Sequence, residues 1–319
     1  MTTYIIRRVL WALVILIMLT LLVFFSMRLL PGDPIIIYVG QSQGLIGMDP
    51  AALDQLKAEY GLDKPIMVQY INWIGGIFRG DLGKSITYHE DVAKLLLKRF
   101  PKTIYIGSIT VVIATVLGTV AGMFAALRRG KWADQVFTPL SYIGITIPIF
   151  WLGVLMVYVF GLKLHWLPTS GYTSPFDNFW MSTKQLIMPV ACLAITEIAM
   201  VSRQMRSSVL EVVRQDYIRT AWAKGLSERL IVLKHMLKNS LIPVITLMGF
   251  AVGMIFGGSV LIESVFNIPG MGRLMVTSIF AQDYVVVQAC TLIFAVIVLV
   301  SNLVVDMSYG WLDPRIRYG

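Results

Sequence analysis

The chain has 319 residues, of which 57% are hydrophobic and 14% are charged, and its formal net charge is +9. Soluble domains carry roughly a quarter charged residues, so this composition excludes an ordinary soluble protein and indicates an integral membrane protein in a lipid bilayer. Membrane proteins concentrate basic residues in their cytoplasmic loops, and we therefore attribute the positive charge to membrane topology and expect no nucleic-acid partner.

The first predicted element is a transmembrane helix within residues 1–30. Arg7 and Arg8 precede an uncharged run at residues 9–27, and Arg28 follows it directly. A signal peptide has a shorter apolar core and a small-residue cleavage site, and neither is present. We expect a retained span with its N-terminus in the cytoplasm.

Residues 31–100 form a long polar segment in which acidic and basic residues balance, a composition compatible with export to the outer side. Asp49 and Pro50 predict a helix start, and Gly61 predicts its end. A second amphipathic helix is predicted after Pro65. Its apolar side is expected to consist of Met67, Tyr70, Ile74 and Phe78.

Residues 101–306 contain five further predicted spans, at about residues 103–127, 136–162, 186–202, 240–262 and 284–305. Gly118 and Gly122 form a GxxxG pattern, which permits close helix approach. Pro148 lies near the middle of the third span and predicts a kink. With a basic tail at residues 307–319, the pattern predicts an all-α protein with six spans and both termini cytoplasmic.

Glu197 is an acidic residue within the fourth predicted span, where charge is costly and is a functional hypothesis by default. It could line a pathway and meet a cationic group. It could also form an ion pair with Arg203 or with a basic residue of another subunit. We favour the ion pair, because Glu197 lies close to the cytoplasmic end of its span.

Gly249, Gly253 and Gly257 repeat every four residues in the fifth predicted span and share one helix face. This face could line a substrate pathway or pack against another helix. Packing is the commoner use of such spacing, and we favour it.

A charged segment at residues 203–238, with eight basic residues against three acidic ones, separates spans four and five and indicates a cytoplasmic position. Ile218 and Trp222 share a helix face, and Gly225 stands where that helix would end. A second helix is predicted from about Ser227. A short helix that carries small residues can dock closely into another protein.

The sequence contains no recognisable hydrolase triad, metal-ligand spacing, nucleotide-binding loop or series of buried acids. We therefore expect a transport subunit without enzymatic activity and without a bound metal or cofactor. Energy for uphill transport would come from a partner. Two alternatives stay open, namely a secondary transporter driven by an ion gradient and a membrane receptor that does not transport.

Motifs along nearly the whole chain resemble the first of the two permease subunits of ATP-driven (ABC) importers for dipeptides, oligopeptides and nickel. The matching motifs are Leu30-Pro31-Gly32-Asp33-Pro34, Tyr60-Gly61-Leu62-Asp63-Lys64-Pro65, Gly80-Asp81-Leu82-Gly83 with Ser85, Arg206-Ser207-Ser208, Glu211-Val212, Asp216 to Ala221, Ala223-Lys224-Gly225-Leu226, and Asp313-Pro314-Arg315-Ile316.

The resemblance implies a type I importer fold in the cytoplasmic (inner) membrane, with an ABC core at residues 101–306 and a coupling loop at residues 207–238. It implies a second permease, two ATP-binding subunits that hold ATP and Mg, and an external binding protein. Peptides are the leading cargo, with nickel, glutathione and oligosaccharides as alternatives. The residues implied to couple to the ATPase are Arg219, Thr220, Ala221, Ala223, Lys224 and Gly225.

Two positions depart from the broader importer signature. That signature begins with Glu-Ala-Ala, where this chain has Arg219-Thr220-Ala221. Its proline also follows the glycine more closely than Pro243 does here. The coupling role is therefore carried over, but no contact of the missing glutamate is.

Overall fold

The structure is a computed structural model that describes the backbone of residues 2–42 and 50–312 and the side chains of residues 6–40 and 51–307. The described backbone is helical, with one isolated antiparallel bridge between Lys84 and Asp91. The helices are α1 (Thr2–Leu29), α2 (Pro34–Ser42), α3 (Pro50–Glu59), α4 (Ile66–Phe78), α5 (Val92–Leu127), α6 (Trp132–Thr146), α7 (Ile149–Met156), α8 (Phe179–Val212), α9 (Asp216–Ala223), α10 (Glu228–Leu230), α11 (Leu237–Val265), α12 (Met271–Phe280) and α13 (Tyr284–Leu312). Two π-helical segments, Val157–Lys163 and Ile231–Met236, continue α7 and precede α11.

Five helical segments in the described residues are long and apolar enough to cross a membrane. They are Ile6–Leu29, Val92–Leu127, Phe179–Val212, Glu228–Val265 and Tyr284–Met307. A sixth span arises if Trp132–Thr146 and Ile149–Lys163 count as one broken span. The predicted all-α architecture with six spans is thus confirmed, with the third span interrupted.

The interruption at Pro148 is much sharper than a kink. The two halves of the third span meet at 101°. Ile147 and Pro148 both have extended backbone between the halves, since proline lacks an N–H and disfavours a helical residue before it. The sequence identified the position of the break but not its size.

Two predicted spans are shorter than the helices that contain them. α5 begins at Val92 and includes Pro101, and α8 runs from Phe179 to Val212. Both predicted spans end at charged residues, because the hydropathy falls there. A helix can continue past such residues where its apolar face stays packed. At the start of α5, that face consists of Val92, Leu95 and Leu96, all buried.

The polar segment contains one more helix than the sequence predicted. α2 starts at Pro34, and Asp33 caps it, with Oδ1 accepting from the Ile35 N–H at 2.9 Å. Pro34 occupies the first helical position, where the missing N–H of proline costs no hydrogen bond within the helix. The predicted helices at α3 and α4 are present, although Asp49 lies outside the described residues.

The predicted apolar side of α4 is only partly packed against the rest of the described chain. Met67 and Phe78 are 59% and 87% exposed, and α4 has no fully buried residue. The side that packs carries Tyr70 and Trp73, whose rings lie against Phe24 of α1. Aromatic ring packing, which apolar spacing alone does not reveal, sets the orientation of this helix.

The chain divides into two compact units, residues 1–103 with 269–297 and residues 104–268 with 298–319. Within the first unit, Asp283 joins distant segments, because its Oδ2 accepts from Ser85 Oγ at 2.5 Å and from the Thr87 N–H at 3.0 Å. The apolar core of this first unit includes Leu95, Met271 and Val286.

Within the second unit, α8 is the most buried candidate span. Glycines let its neighbours approach it closely. A Cβ atom added at Gly118 would lie 2.7 Å from Val201, and one at Gly144 would lie 2.9 Å from the Ala199 Cβ. A Cβ at Gly122 would collide with the backbone of Ser202. The GxxxG pattern therefore serves helix packing.

Candidate coupling site

The charged segment between α8 and α11 has a small apolar core of its own. Ile218 and Ala221 of α9 are buried against Ile231 and Met236 of the following π-helical segment. Partly buried Val212, Val213 and Val232 complete the cluster. This core holds α9 against the two membrane helices that flank it in the chain.

The opposite face of α9 is exposed and carries Asp216, Arg219, Thr220 and Ala223. Arg219 NH1 and Asp216 Oδ1 lie 3.6 Å apart, but both side chains are mostly in solvent, so this pair contributes little to stability. Small and charged residues thus form the surface that a partner would meet.

Apolar side chains border this exposed face. Tyr217 and Trp222 of α9 are 43% and 44% exposed. Leu226, Leu230 and Leu233 are also exposed, on the turn and on the segment after it. The sequence prediction placed Trp222 with Ile218 on one face, and only Ile218 is buried. Exposed aromatic residues are a common signal of a protein interface, and Trp222 could have been recognised by it.

Gly225 ends α9 with a left-handed residue, as the sequence predicted. Its φ is +74°, a value that favours glycine. The Gly225 N–H donates to the Trp222 carbonyl at 2.9 Å, and the Leu226 N–H donates to the Ala221 carbonyl at 3.3 Å. These two bonds form the Schellman motif, which satisfies carbonyls at the helix end. The motif fixes the direction in which the chain leaves α9.

The helix that follows α9 begins at Glu228, after Ser227, as the sequence predicted. The π-helical segment then leads into α11. Asn239 Nδ2 at the start of α11 donates to the Tyr217 hydroxyl at 3.1 Å and to the His235 carbonyl at 2.8 Å. A polar contact therefore joins α9 to the membrane helix in addition to the apolar core.

Five of the six predicted coupling residues lie at this surface, namely Arg219, Thr220, Ala223, Lys224 and Gly225, all of them exposed. Ala221 does not, because its side chain is buried against Ile218. Ala221 therefore packs in the core that supports α9. Only the other five predicted residues are exposed for direct contact with a partner.

An ion pair that the sequence did not predict links the start of α6 to α8. Arg206 Nε and NH2 donate to the two carboxylate oxygens of Asp134 at 2.6 and 3.0 Å. The same carboxylate accepts from the Gly130 N–H at 3.0 Å and from Thr138 Oγ1 at 3.1 Å. Asp134 is 9% exposed. Four donors thus hold this carboxylate, and two of them belong to Arg206, ten residues before the start of α9.

Glu197 and Arg203 do not form the predicted ion pair. Glu197 is 5% exposed, whereas Arg203 is exposed. Six residues correspond to about one and two-thirds helical turns, which places the two side chains on different sides of α8. Within the described side chains, no basic group forms an ion pair with Glu197. Its pathway role and its pairing with another subunit stay predictions.

No group of three or more His, Cys, Asp or Glu side chains within residues 6–40 and 51–307 is arranged to hold a metal ion. The exposed acidic and basic groups of the coupling site are likewise spread along a short helix. The described residues of this segment thus present an exposed surface of small and charged side chains.

Two family descriptions match the chain. Residues 118–318 match the family described as "Binding-protein-dependent transport system inner membrane component", and residues 1–107 match its N-terminal region. The chain belongs to this family. It is therefore a membrane-embedded permease subunit of a transport system, placed in the inner membrane as a multi-pass protein.

Relatives match over the full length of the chain. A putative peptide permease protein of Brucella ovis is 39% identical over 99% of both chains. The oligopeptide transport system permease protein AppB of Bacillus subtilis is 39% identical over 100% of both. A chain in the inward-facing MetNI methionine ABC transporter is 16% identical, with a TM-score of 0.54, over 69% of this chain and 96% of that one. That likeness shows the type I importer fold.

In this permease, the glycine face of α11 splits into packed and open positions. A Cβ added at Gly249 would lie 2.8 Å from Val305, and one at Gly253 would lie 3.4 Å from Val298. One at Gly257 would have no heavy atom within 4 Å. Packing against α13 accounts for Gly249 and Gly253, whereas Gly257 stays available to line a pathway.

We expect leucine at Gly249 and leucine at Gly257 to have different effects. Gly249→Leu overpacks the contact with Val305, which costs about 1–3 kcal/mol, and lowers the yield of monodisperse protein in detergent. Gly257→Leu gives normal yield and reduces substrate uptake by intact cells, because the side chain enters open space. Normal uptake by Gly257→Leu at wild-type abundance would contradict the lining role.

Proposed function

We propose that the chain forms half of the translocation pathway of an ATP-driven importer for peptides. The proposal is supported by relatives named as peptide permeases that match the whole chain at up to 39% identity. Nickel, glutathione and oligosaccharides are the alternative cargoes. The complex would contain a second permease, two ATP-binding subunits and an external binding protein, with both termini of this chain in the cytoplasm.

The observation that carries the energy-coupling part of this proposal is the construction of α9. Its inner face is buried in a local core, its outer face is exposed, and its end is fixed by Gly225. A partner that moves the outer face therefore moves α8 and α11 with it. ATP and Mg would be held by the partner, whose chemistry supplies the energy.

In this mechanism, the residues of this chain transmit force without reacting. ATP binding draws the two partner ATPases together, and α9 follows the groove in which it is docked. The Ile218 core passes that displacement to α11, and the Val212–Val213 turn passes it to α8. The spans then switch between outward and inward openings, so that cargo delivered by the binding protein crosses the membrane.

Ala223→Glu tests the docking. The larger charged side chain projects from the exposed face of α9, where close approach of a partner leaves no room for it. We expect about a tenfold loss of ATPase activity stimulated by the binding protein in reconstituted complexes, which corresponds to about 1.4 kcal/mol.

Ala58→Glu is a matched control, because Ala58 is an exposed alanine on α3, outside the coupling segment. It is expected to keep wild-type stimulation. If an Ala223→Glu complex with all its subunits also kept wild-type stimulation, the coupling assignment would be wrong. The cargo is tested separately, by identifying the ligand that co-purifies with the external binding protein.

A further inference from the structure

The first unit contains a cleft of about 450 Å³ that the transport mechanism does not use. It lies beside the last turn of α1, which carries Arg28, and the second turn of α13, which carries Gln288. The polar side of α4, with Gln69, Asn72 and Trp73, forms another wall. Since α1 and α13 are candidate spans, the cleft lies at the edge of the membrane.

Two residues that line this cleft carry buried hydrogen-bond donors without acceptors. Gln288 is 3% exposed, and its Nε2 has no partner. The indole N–H of Trp73 is also buried without a partner. Leaving a buried donor unsatisfied costs about 1–3 kcal/mol. Two such donors that line one cleft indicate a ligand that supplies acceptor atoms.

Arg28 adds a positive charge to the same wall. Its Nε and NH2 donate to Gln69 Oε1 at 3.2 and 2.7 Å, and its NH1 donates to the Phe24 carbonyl at 3.1 Å. Its guanidinium stacks over the Phe24 ring at 3.4 Å. Within the described side chains, no carboxylate forms an ion pair with Arg28. A guanidinium has five N–H donors, so two stay available to an oxyanion.

The remaining charged groups of the cleft are mostly acidic. Glu59, Asp81 and Asp91 line it, together with Lys84. The Asp91 carboxylate is paired with Lys94 at 2.9 Å, and Asp81 Oδ1 accepts from the Gly83 N–H at 2.8 Å. Glu59 is exposed at the rim. The lining of the cleft therefore includes both hydrogen-bond donors and carboxylates, which suits a ligand with both an anionic and a cationic group.

The outer surface of α4 indicates where such a ligand comes from. Met67, Ile71 and Phe78 are 59%, 64% and 87% exposed, and Ile66 and Val68 are exposed beside them. A helix with an exposed apolar side and a polar side is typical of the membrane interface. The apolar surface suits acyl chains, and the adjacent cleft suits the headgroup that they carry.

We propose that this cleft binds the headgroup of a zwitterionic phospholipid. The phosphate accepts from Arg28, Trp73 and Gln288, and the ammonium group faces Glu59. The acyl chains lie along the exposed side of α4. A short peptide is also zwitterionic, but it has no apolar chains for α4 to cover, and it is the alternative that the experiment tests.

The test uses the full-length chain purified in detergent and stripped of lipid. Phosphatidylethanolamine, phosphatidylglycerol and dialanine are each added, and Tm is measured. Phosphatidylethanolamine at a hundredfold excess over its Kd is expected to raise Tm by about 5 °C. Phosphatidylglycerol and dialanine are expected to raise it by less than half as much.

Gln288→Leu removes the unpartnered donor with little change of volume. It is expected to leave the Tm of the lipid-free chain unchanged or slightly higher and to abolish the phosphatidylethanolamine shift. Trp73→Phe is a second variant that is expected to abolish the shift, although it also weakens the ring packing on Phe24 and so lowers the Tm of the lipid-free chain. Gln55→Leu, a change of an exposed glutamine outside the cleft, is expected to keep the shift.

An equal shift in wild type and Gln288→Leu would overturn the proposal. So would a shift with phosphatidylglycerol as large as that with phosphatidylethanolamine. A shift with dialanine that Gln288→Leu abolishes would assign the cleft to peptide instead.

Discussion

Arg206→Ala is expected to lower the free energy of unfolding of the permease by about 3 kcal/mol. The change leaves the Asp134 carboxylate, 9% exposed, without the guanidinium that holds both of its oxygens. Breaking a buried ion pair costs about 3–5 kcal/mol, and the lower end applies because 27% of the Arg206 side chain is exposed. Urea unfolding followed by tryptophan fluorescence would measure the loss.

A double-mutant cycle separates the ion pair from other effects of the substitution. Asp134→Ala alone also loses the bonds to Gly130 and Thr138, so it is destabilising in its own right. The Asp134→Ala/Arg206→Ala variant should be more stable than the sum of the single changes predicts, by at least 1 kcal/mol. Strict additivity would show that the two side chains are not coupled.

Gly122→Ala is expected to destabilise the chain by about 1–3 kcal/mol, although it adds a single methyl group. That methyl group would collide with the Ser202 backbone and lie 2.8 Å from the Met205 Cβ. Backbone cannot move aside as a side-chain end can, so α5 and α8 must separate and their packing weakens. Thermal unfolding of the purified chain would report the effect.

Gly257→Ala is the matched control, because it makes the same change in a transmembrane helix where no heavy atom lies within 4 Å of the new Cβ. It should be neutral or slightly stabilising, since alanine has a higher helix propensity than glycine. If both variants unfolded at the same temperature, close packing at Gly122 would not be what the glycine provides.

The sequence predicted the coupling site best where single residues decide the local structure. Gly225 determined where α9 ends, and Ser227 determined where the next arm begins. The sequence placed Ile218 and Trp222 on one helix face, but it did not indicate which residues of the short helix α9 occupy the buried positions. Ile218 and Ala221 occupy those positions, and Trp222 stays in solvent.

Contacts between distant residues lay beyond single-sequence reasoning. Asp134 and Arg206 are 72 residues apart, and no local sequence pattern predicts that they pair. Glu197 and Arg203 are close in sequence, which favoured the wrong ion pair. The size of the 101° break at Pro148 could not be predicted either. Proline predicts that the helix is disturbed, but the packing around it sets the angle. The six spans could be predicted because hydropathy is a property of each segment alone.

Within the described residues, the apolar core beneath α9 is formed by residues 212–236. All residues of this core therefore lie in one continuous stretch of the chain. A transplant of residues 212–236 between related permeases would carry this core with it, and Val213, which also packs against the cluster of Met205 and Val244, would have to match the spans. If α9 has the coupling role proposed above, such a transplant changes the surface offered to the ATPase partner while the spans keep their own residues.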